Sequence, residues 1–139
     1  MPAVVVRPVV RADIERILEM DPSALAEARH ALVQSAVGRG DCLVAVESGT
    51  VVGYGVMNHQ FFERGFVSLI YVETTQRRRR VSSSFFDEFE RKSDRLFTSA
   101  NISNLPMQQF LVSRGYVLSG VVQDLDKADP EIFYSKKVR

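Results

Sequence analysis

Leu69-Ile70-Tyr71-Val72-Glu73-Thr74-Thr75-Gln76-Arg77-Arg78-Arg79-Arg80-Val81-Ser82-Ser83-Ser84-Phe85-Phe86 is the stretch on which the fold turns. Its opening residues have the β-branched and aromatic character of a strand. From Ser82 onward the pattern changes: Phe85, Phe86, Phe89 and, further on, Leu96 fall at helical spacing, with Asp87, Glu88, Glu90, Arg91 and Lys92 outside them. The phenylalanines read as the face that packs on a sheet rather than as a stacking platform for a ligand. Between strand and helix stand four consecutive arginines, Arg77 to Arg80. A donor-rich turn opening a helix is an arrangement that holds phosphate. The first N–H groups of a helix lack partners, the macrodipole is positive there, and arginine adds charge-assisted bonds. The same run also reads as a solvated basic turn or a nucleic-acid patch. However, 18 Lys plus Arg against 17 Asp plus Glu leave a net charge of +1, and no aromatic residue interleaves the arginines. That balance argues against a surface that coats nucleic acid.

Working outward, Val4 to Val9 reads as a strand and Ala12 to Met20 as a helix, with Ile14, Ile17 and Leu18 on one face. A second helix is expected from Ser23 to Val37, capped by Ser23 and stopped by Gly38 and Gly40. Cys42 to Glu47 and Val51 to His59 form a hairpin about Ser48-Gly49-Thr50, and Phe66 to Val72 follows after Glu63-Arg64-Gly65. Leu96 to Ala100 is a short strand, parallel in prospect to the one before the helix. Pro106 to Ser113 is a helix ended by Gly115, and Tyr116 to Leu125 and Ile132 to Val138 are the last strands, joined by the turn Asp126 to Pro130. The order is strand, two helices, three strands, helix, strand, helix, two strands.

The 139 residues, 45% hydrophobic and 25% charged, suit one compact domain over 1–139. Met1 to Arg7 is too short and too soon charged for a signal peptide, and no apolar run approaches a membrane span, so cytoplasmic residence is expected. The one cysteine, Cys42, excludes an internal disulfide and a thiolate-rich metal site. His30 and His59 lie in different segments without ligand spacing, and no metal dependence is expected.

This order of elements resembles the GNAT family, the GCN5-related N-acetyltransferases, over essentially the whole chain. The family joins its fourth strand to its third helix through a signature of Gln or Arg, two variable residues, Gly, one variable residue, then Gly or Ala. Here that signature aligns with Arg77 to Ser82, with Arg80 in place of the Gly and Ser82 in place of the Gly or Ala. Asn104 followed by Gly115-Tyr116 is similar to the family's Asn before the fourth helix and its Gly-Phe or Gly-Tyr after it. The closing Asp129 to Lys137 is similar to its last strand. The resemblance implies an α/β (α+β) fold with a mixed, mostly antiparallel central sheet of about seven strands flanked by about four helices.

It also implies an activity, transfer of an acetyl group from acetyl-CoA to a primary amine by direct attack in a ternary complex. The pyrophosphate of acetyl-CoA would rest on the turn and helix start, Arg77, Arg78, Arg79, Arg80, Val81, Ser82 and Ser83. Pantetheine would pair with the backbone of Ile70, Tyr71 and Val72, with Asn104 reaching the pantetheine arm or a bridging water. The main-chain N–H of Val72 or its neighbour would polarise the thioester oxygen, and no nucleophilic side chain is required. Cys42 is therefore read as a core residue. Many members carry a tyrosine seven residues after the Asn as general acid, and that position is Leu111. Glu73 and His59 are the nearest titratable candidates for a base, each read first as a surface residue, and neither is assigned. An alternative is a non-catalytic CoA-binding or protein-interaction domain of the same fold. The amine acceptor stays open, and the edge of the last strands admits a homodimer.

Overall fold

The computed structural model describes residues 3–73, 78–126 and 128–139. The strands are β1 (Val4–Pro8), β2 (Cys42–Glu47), β3 (Thr50–Phe61), β4 (Arg64–Val72), β5 (Arg95–Asn101), β6 (Val117–Val122) and β7 (Glu131–Lys137). The helices are α1 (Asp13–Met20), α2 (Glu27–Arg39), α3 (Arg78–Arg91) and α4 (Leu105–Ser113), with a 3-10 turn over Pro22–Leu25. The strands form one seven-stranded sheet in the order β1-β2-β3-β4-β5-β7-β6. The pair β4 and β5 is parallel, as the crossover through α3 requires, and the β1–β2, β2–β3, β5–β7 and β6–β7 pairs are antiparallel. No helix among the described residues is long and apolar enough to cross a membrane.

Two compact units divide the chain: the described residues of Met1–Met57 with Leu69–Phe89, and Asn58–Ser68 with Glu90–Arg139. In the first, Ile17 and Met20 of α1 and Val33 and Ala36 of α2 pack with Cys42, Val44, Val51, Tyr54 and Val56 of the β2–β3 hairpin. The hairpin carries a bulge. Val46 faces Val51 while Ala45 faces Gly53, so Val52 is an extra residue in β3. That one residue shifts the alternation, and Val51 therefore lies on the same core face as Tyr54 and Val56.

The second unit is organised by rings and by one carboxylate. Phe61 stacks on Phe66 at 4.9 Å and on Phe133 at 5.8 Å, with Phe97 at 5.4 Å. Glu90 accepts from Arg114 Nε at 3.1 Å, Tyr116 Oη at 2.9 Å and Lys136 Nζ at 3.2 Å, tying the ends of α3 and α4 to β6 and β7.

Strand β6 stops at Val122 rather than Leu125, α2 and α3 differ from expectation as follows, and the other boundaries move by one or two residues. The second helix does not start at Ser23. The Asp21 side chain accepts from Ser23 N and Pro22 follows it, which closes a 3-10 turn, and Ala26 is extended before α2 begins. Gly38 lies within α2, and Gly40, at φ 77°, ends it. Helix α3 starts at Arg78 rather than Ser82, because arginines are good helix formers and continue the helix upstream.

Candidate functional site

The β2–β3 hairpin sets the floor on which α3 is seated. A Cβ on Gly53 would stand 2.8 Å from the Tyr71 carbonyl oxygen, 3.3 Å from Phe85 and 3.4 Å from Val81; one on Gly55 would stand 3.1 Å from Phe89. The absence of side chains at these two positions lets Val81, Phe85 and Phe89 settle onto β3, and all three are buried. Phe86 is buried beside them, as the helical spacing predicts. The start of α3 is thereby fixed in height over the hairpin and beside the end of β4.

The first described turn of α3 holds Arg78, Arg79 and Arg80, whose N–H groups point toward the N-terminal end of the helix. Ser82 and Ser83 lie inside the helix, where their N–H groups face the carbonyls of Arg78 and Arg79. Ser82 is buried and Val81 wholly so. The Ser84 hydroxyl donates to the Arg80 carbonyl at 3.2 Å. Arg77 lies outside the described residues, and Arg80 reaches sideways. Its Nη2 stands 2.6 Å from Oε2 of Glu47, whose side chain is only 6% exposed. The contact is an ion pair without hydrogen-bond alignment at Oε2.

Earlier on β4, its parallel ladder with β5 covers Gly65–Leu96, Phe66–Phe97 and Val67–Thr98, and the Thr98 hydroxyl donates to the Val67 carbonyl at 3.0 Å. Beyond it β4 runs on through Ile70 and Tyr71, half-buried, to Val72, buried. Glu73 is then pinned to the bulge. Its N–H donates to the Val52 carbonyl at 2.9 Å, and its carboxylate accepts from Arg16, whose Nε donates to the Val51 carbonyl at 3.1 Å. Glu73 is thus a charge partner of α1 in this structure.

A second anchor ties the loop after α1 to the sheet. Tyr71 Oη donates to the Met20 carbonyl at 3.0 Å, and Tyr54 Oη donates to Asp21. Asp21 also accepts from Ser23 N at 3.0 Å and Arg29 Nη1 at 3.0 Å. Burial first, and then the Asp21 carboxylate, raises the Tyr54 phenol far above its ordinary pKa, so it stays a donor. The Tyr54 and Tyr71 rings lie 5.9 Å apart. Asp21, Tyr54, Arg16 and Glu47 tie these elements together, and the sequence reading does not single them out. For Glu47 a signal was present: Leu43, Ala45 and Glu47 alternate, so the carboxylate shares the face of two buried apolar residues.

In the second unit, Asn104 caps α4, its side-chain oxygen accepting from Met107 N at 3.3 Å. Leu111 is wholly buried under the same helix. Cys42 is wholly buried in β2, and burial pushes its thiol up to about 12, which leaves it protonated and inert. His59 is exposed and lines a hollow of about 250 Å³ with Arg64, Arg91, Lys92, Arg95 and Arg139. That hollow adjoins the N-terminal end of β4 and the C-terminal end of α3, where cations answer the negative end of the helix dipole.

Compared with solved structures, the chain is similar to an acetyltransferase of the GNAT family from Bacillus cereus ATCC 10987, at 30% identity over 97% of both chains with a TM-score of 0.88. The chain belongs to the GNAT family. The same fold recurs in Ard1 from Thermoplasma volcanium, at 18% identity over 96% of this chain and 97% of that one, TM-score 0.78. It recurs also in yncA from Salmonella typhimurium, a structure that contains its cofactor acetyl-CoA, at 19% identity over 99% and 95%, TM-score 0.71. No protein-family sequence model and no curated protein sequence matches the chain. The GNAT fold expected from the order of elements, with its seven strands and four helices, is the one observed.

Proposed function

We propose that this protein is a cytoplasmic N-acetyltransferase that moves the acetyl group of acetyl-CoA to a primary amine by direct attack within a ternary complex. The observation that carries the reading is the course of β4, which outruns its ladder with β5 and leads, at Val72 and Glu73, toward the first turn of α3. A strand that runs past its ladder, followed by the N-terminal turn of a helix with its positive dipole end, suits a thioester on a pantetheine arm with a diphosphate behind it. Acetyl-CoA supplies the activated acyl group. Of the chain's own groups, Ile70, Tyr71 and Val72 align the arm. The Val72 N–H polarises the carbonyl under attack, and Arg78 to Arg80 offer their N–H groups to the diphosphate. Val81, Ser82 and Ser83 keep the helix close to the sheet, and Asn104 is assigned to the arm as well as to its helix cap. Glu73, held by Arg16, and the exposed His59 are left out of the proton path, and an amine that arrives neutral needs neither.

Titration calorimetry with acetyl-CoA, CoA and ATP, followed by an amine panel read by release of the CoA thiol, tests this. Micromolar binding of acetyl-CoA with turnover of one amine class is the expected result. Binding without turnover on any amine favours a CoA-binding module, a reading to which the buried Leu111 at the usual tyrosine position lends support. No binding of either CoA species by folded protein defeats the enzyme reading.

A further inference from the structure

We infer that Glu47 is a positioning residue for the phosphate turn: by holding the Arg80 guanidinium against β2, it keeps that side chain from folding over the first-turn backbone of α3, where an anion would rest. The inference rests on the acetyl-CoA reading and deepens it. It begins from a difficulty, since Arg80 stands where the family resemblance calls for a residue without a side chain. A long cation at that place can fold over the very N–H groups that a diphosphate must approach. Here it does not, because its guanidinium lies 2.6 Å from Glu47.

The holder is built into the sheet. Glu47 ends β2 on the face that carries Leu43 and Ala45, and Ala45 pairs with Gly53, the residue over which Val81 and Phe85 sit. Val81 therefore fixes the helix start, and the preceding residue, Arg80, is carried within reach of the end of β2. The hold is durable. The carboxylate is 6% exposed and the Arg80 side chain 32%, so separating this pair would cost a largely buried charge one of its contacts. Arg80 in this arrangement is a spectator to the diphosphate, which is gripped by the backbone.

The test is Glu47→Gln, alone and combined with Arg80→Ala. Gln keeps the shape of the side chain and removes the charge that holds the guanidinium. Glu47→Gln is expected to raise the KM for acetyl-CoA about tenfold, with kcat and the KM for the amine unmoved, and adding Arg80→Ala to it should restore the affinity. A merely structural Glu47 would lower kcat and stability together and would not be rescued by removing Arg80. Should Glu47→Gln bind acetyl-CoA as well as or better than the starting protein, or should the double variant fail to recover, the inference is overturned while the acetyl-CoA reading stands. Inorganic pyrophosphate, followed by the amide shifts of Arg78 to Arg80, gives a readout free of turnover. A starting protein that binds neither pyrophosphate nor acetyl-CoA sinks both readings.

Discussion

Two glutamates are drawn toward the interior, Glu47 at the end of β2 and Glu90 near the end of α3, and their donors differ in standing. Glu90 is met by Arg114, Tyr116 and Lys136, from the end of α4, the start of β6 and β7, all parts of the framework. Burial pushes its pKa up, but the hydrogen bonds from those three groups outweigh it and hold the carboxyl below the usual range. Glu47 is met by Arg80, which belongs to the first turn of α3. The same chemistry has two outcomes. Where the donor is framework the carboxylate fastens the fold, and where the donor sits in a ligand turn it sets the shape of that turn.

The comparison can be broken first at Glu90. Glu90→Leu strands two cations and a phenol, and should cost on the order of 3 kcal/mol in a urea unfolding titration, with acetyl-CoA affinity of the folded protein unchanged. A loss of affinity without a loss of stability would reverse the contrast with Glu47. Glu90 also supplies a pH signature. A carboxyl depressed by folding contributes stability that is present above its unfolded pKa, near 4, and is lost as pH falls through the lower folded value. Asp13 behaves alike, because the hydrogen bonds from Arg7 lower its pKa. Glu90→Leu should therefore flatten the acid limb of stability against pH, and Arg7→Met should flatten what remains.

Gly53→Val comes next, at about 2 kcal/mol for an overpacked contact. Its branched Cβ would meet the Tyr71 carbonyl at 2.8 Å and lift α3, so both stability and acetyl-CoA affinity should fall, as they should for no substitution at Glu90. Asn104→Ala gives the smallest change, about 1 kcal/mol for a lost helix cap. Thermal melts measure that term, and acetyl-CoA titration of the same variant shows whether the Asn serves the ligand besides.

Much of the architecture is legible in the chain because local signals agree with the tertiary outcome. Cys42 to Glu47 is bounded by Gly40-Asp41, with Gly40 at positive φ, and by Ser48-Gly49, both at positive φ, and the strand is found at those limits. Phe85, Phe86 and Phe89 declare the buried face of α3 by spacing alone. The start of α3 is less legible, since four arginines neither cap nor break a helix, and the shift from Ser82 to Arg78 moves the positive end of the helix dipole toward the arginines. Least legible are the long-range pairs. Asp21 meets Tyr54 across 33 residues, and Glu47 meets Arg80, by virtue of sheet pairing that no local pattern encodes.

Val52, the extra residue of the β2–β3 bulge, acts as a frame setter for the whole sheet. Counting by twos from Val51 would send Gly53 and Gly55 toward α1 and α2 and Tyr54 into the space of Phe85; the additional residue exchanges those assignments. Loss of this single valine would leave Val51 opposite Val46 and Gly53 opposite Ala45 in a regular ladder, with every later side chain of β3 on its present face, whereas pairing Val52 in the ladder would turn them all over.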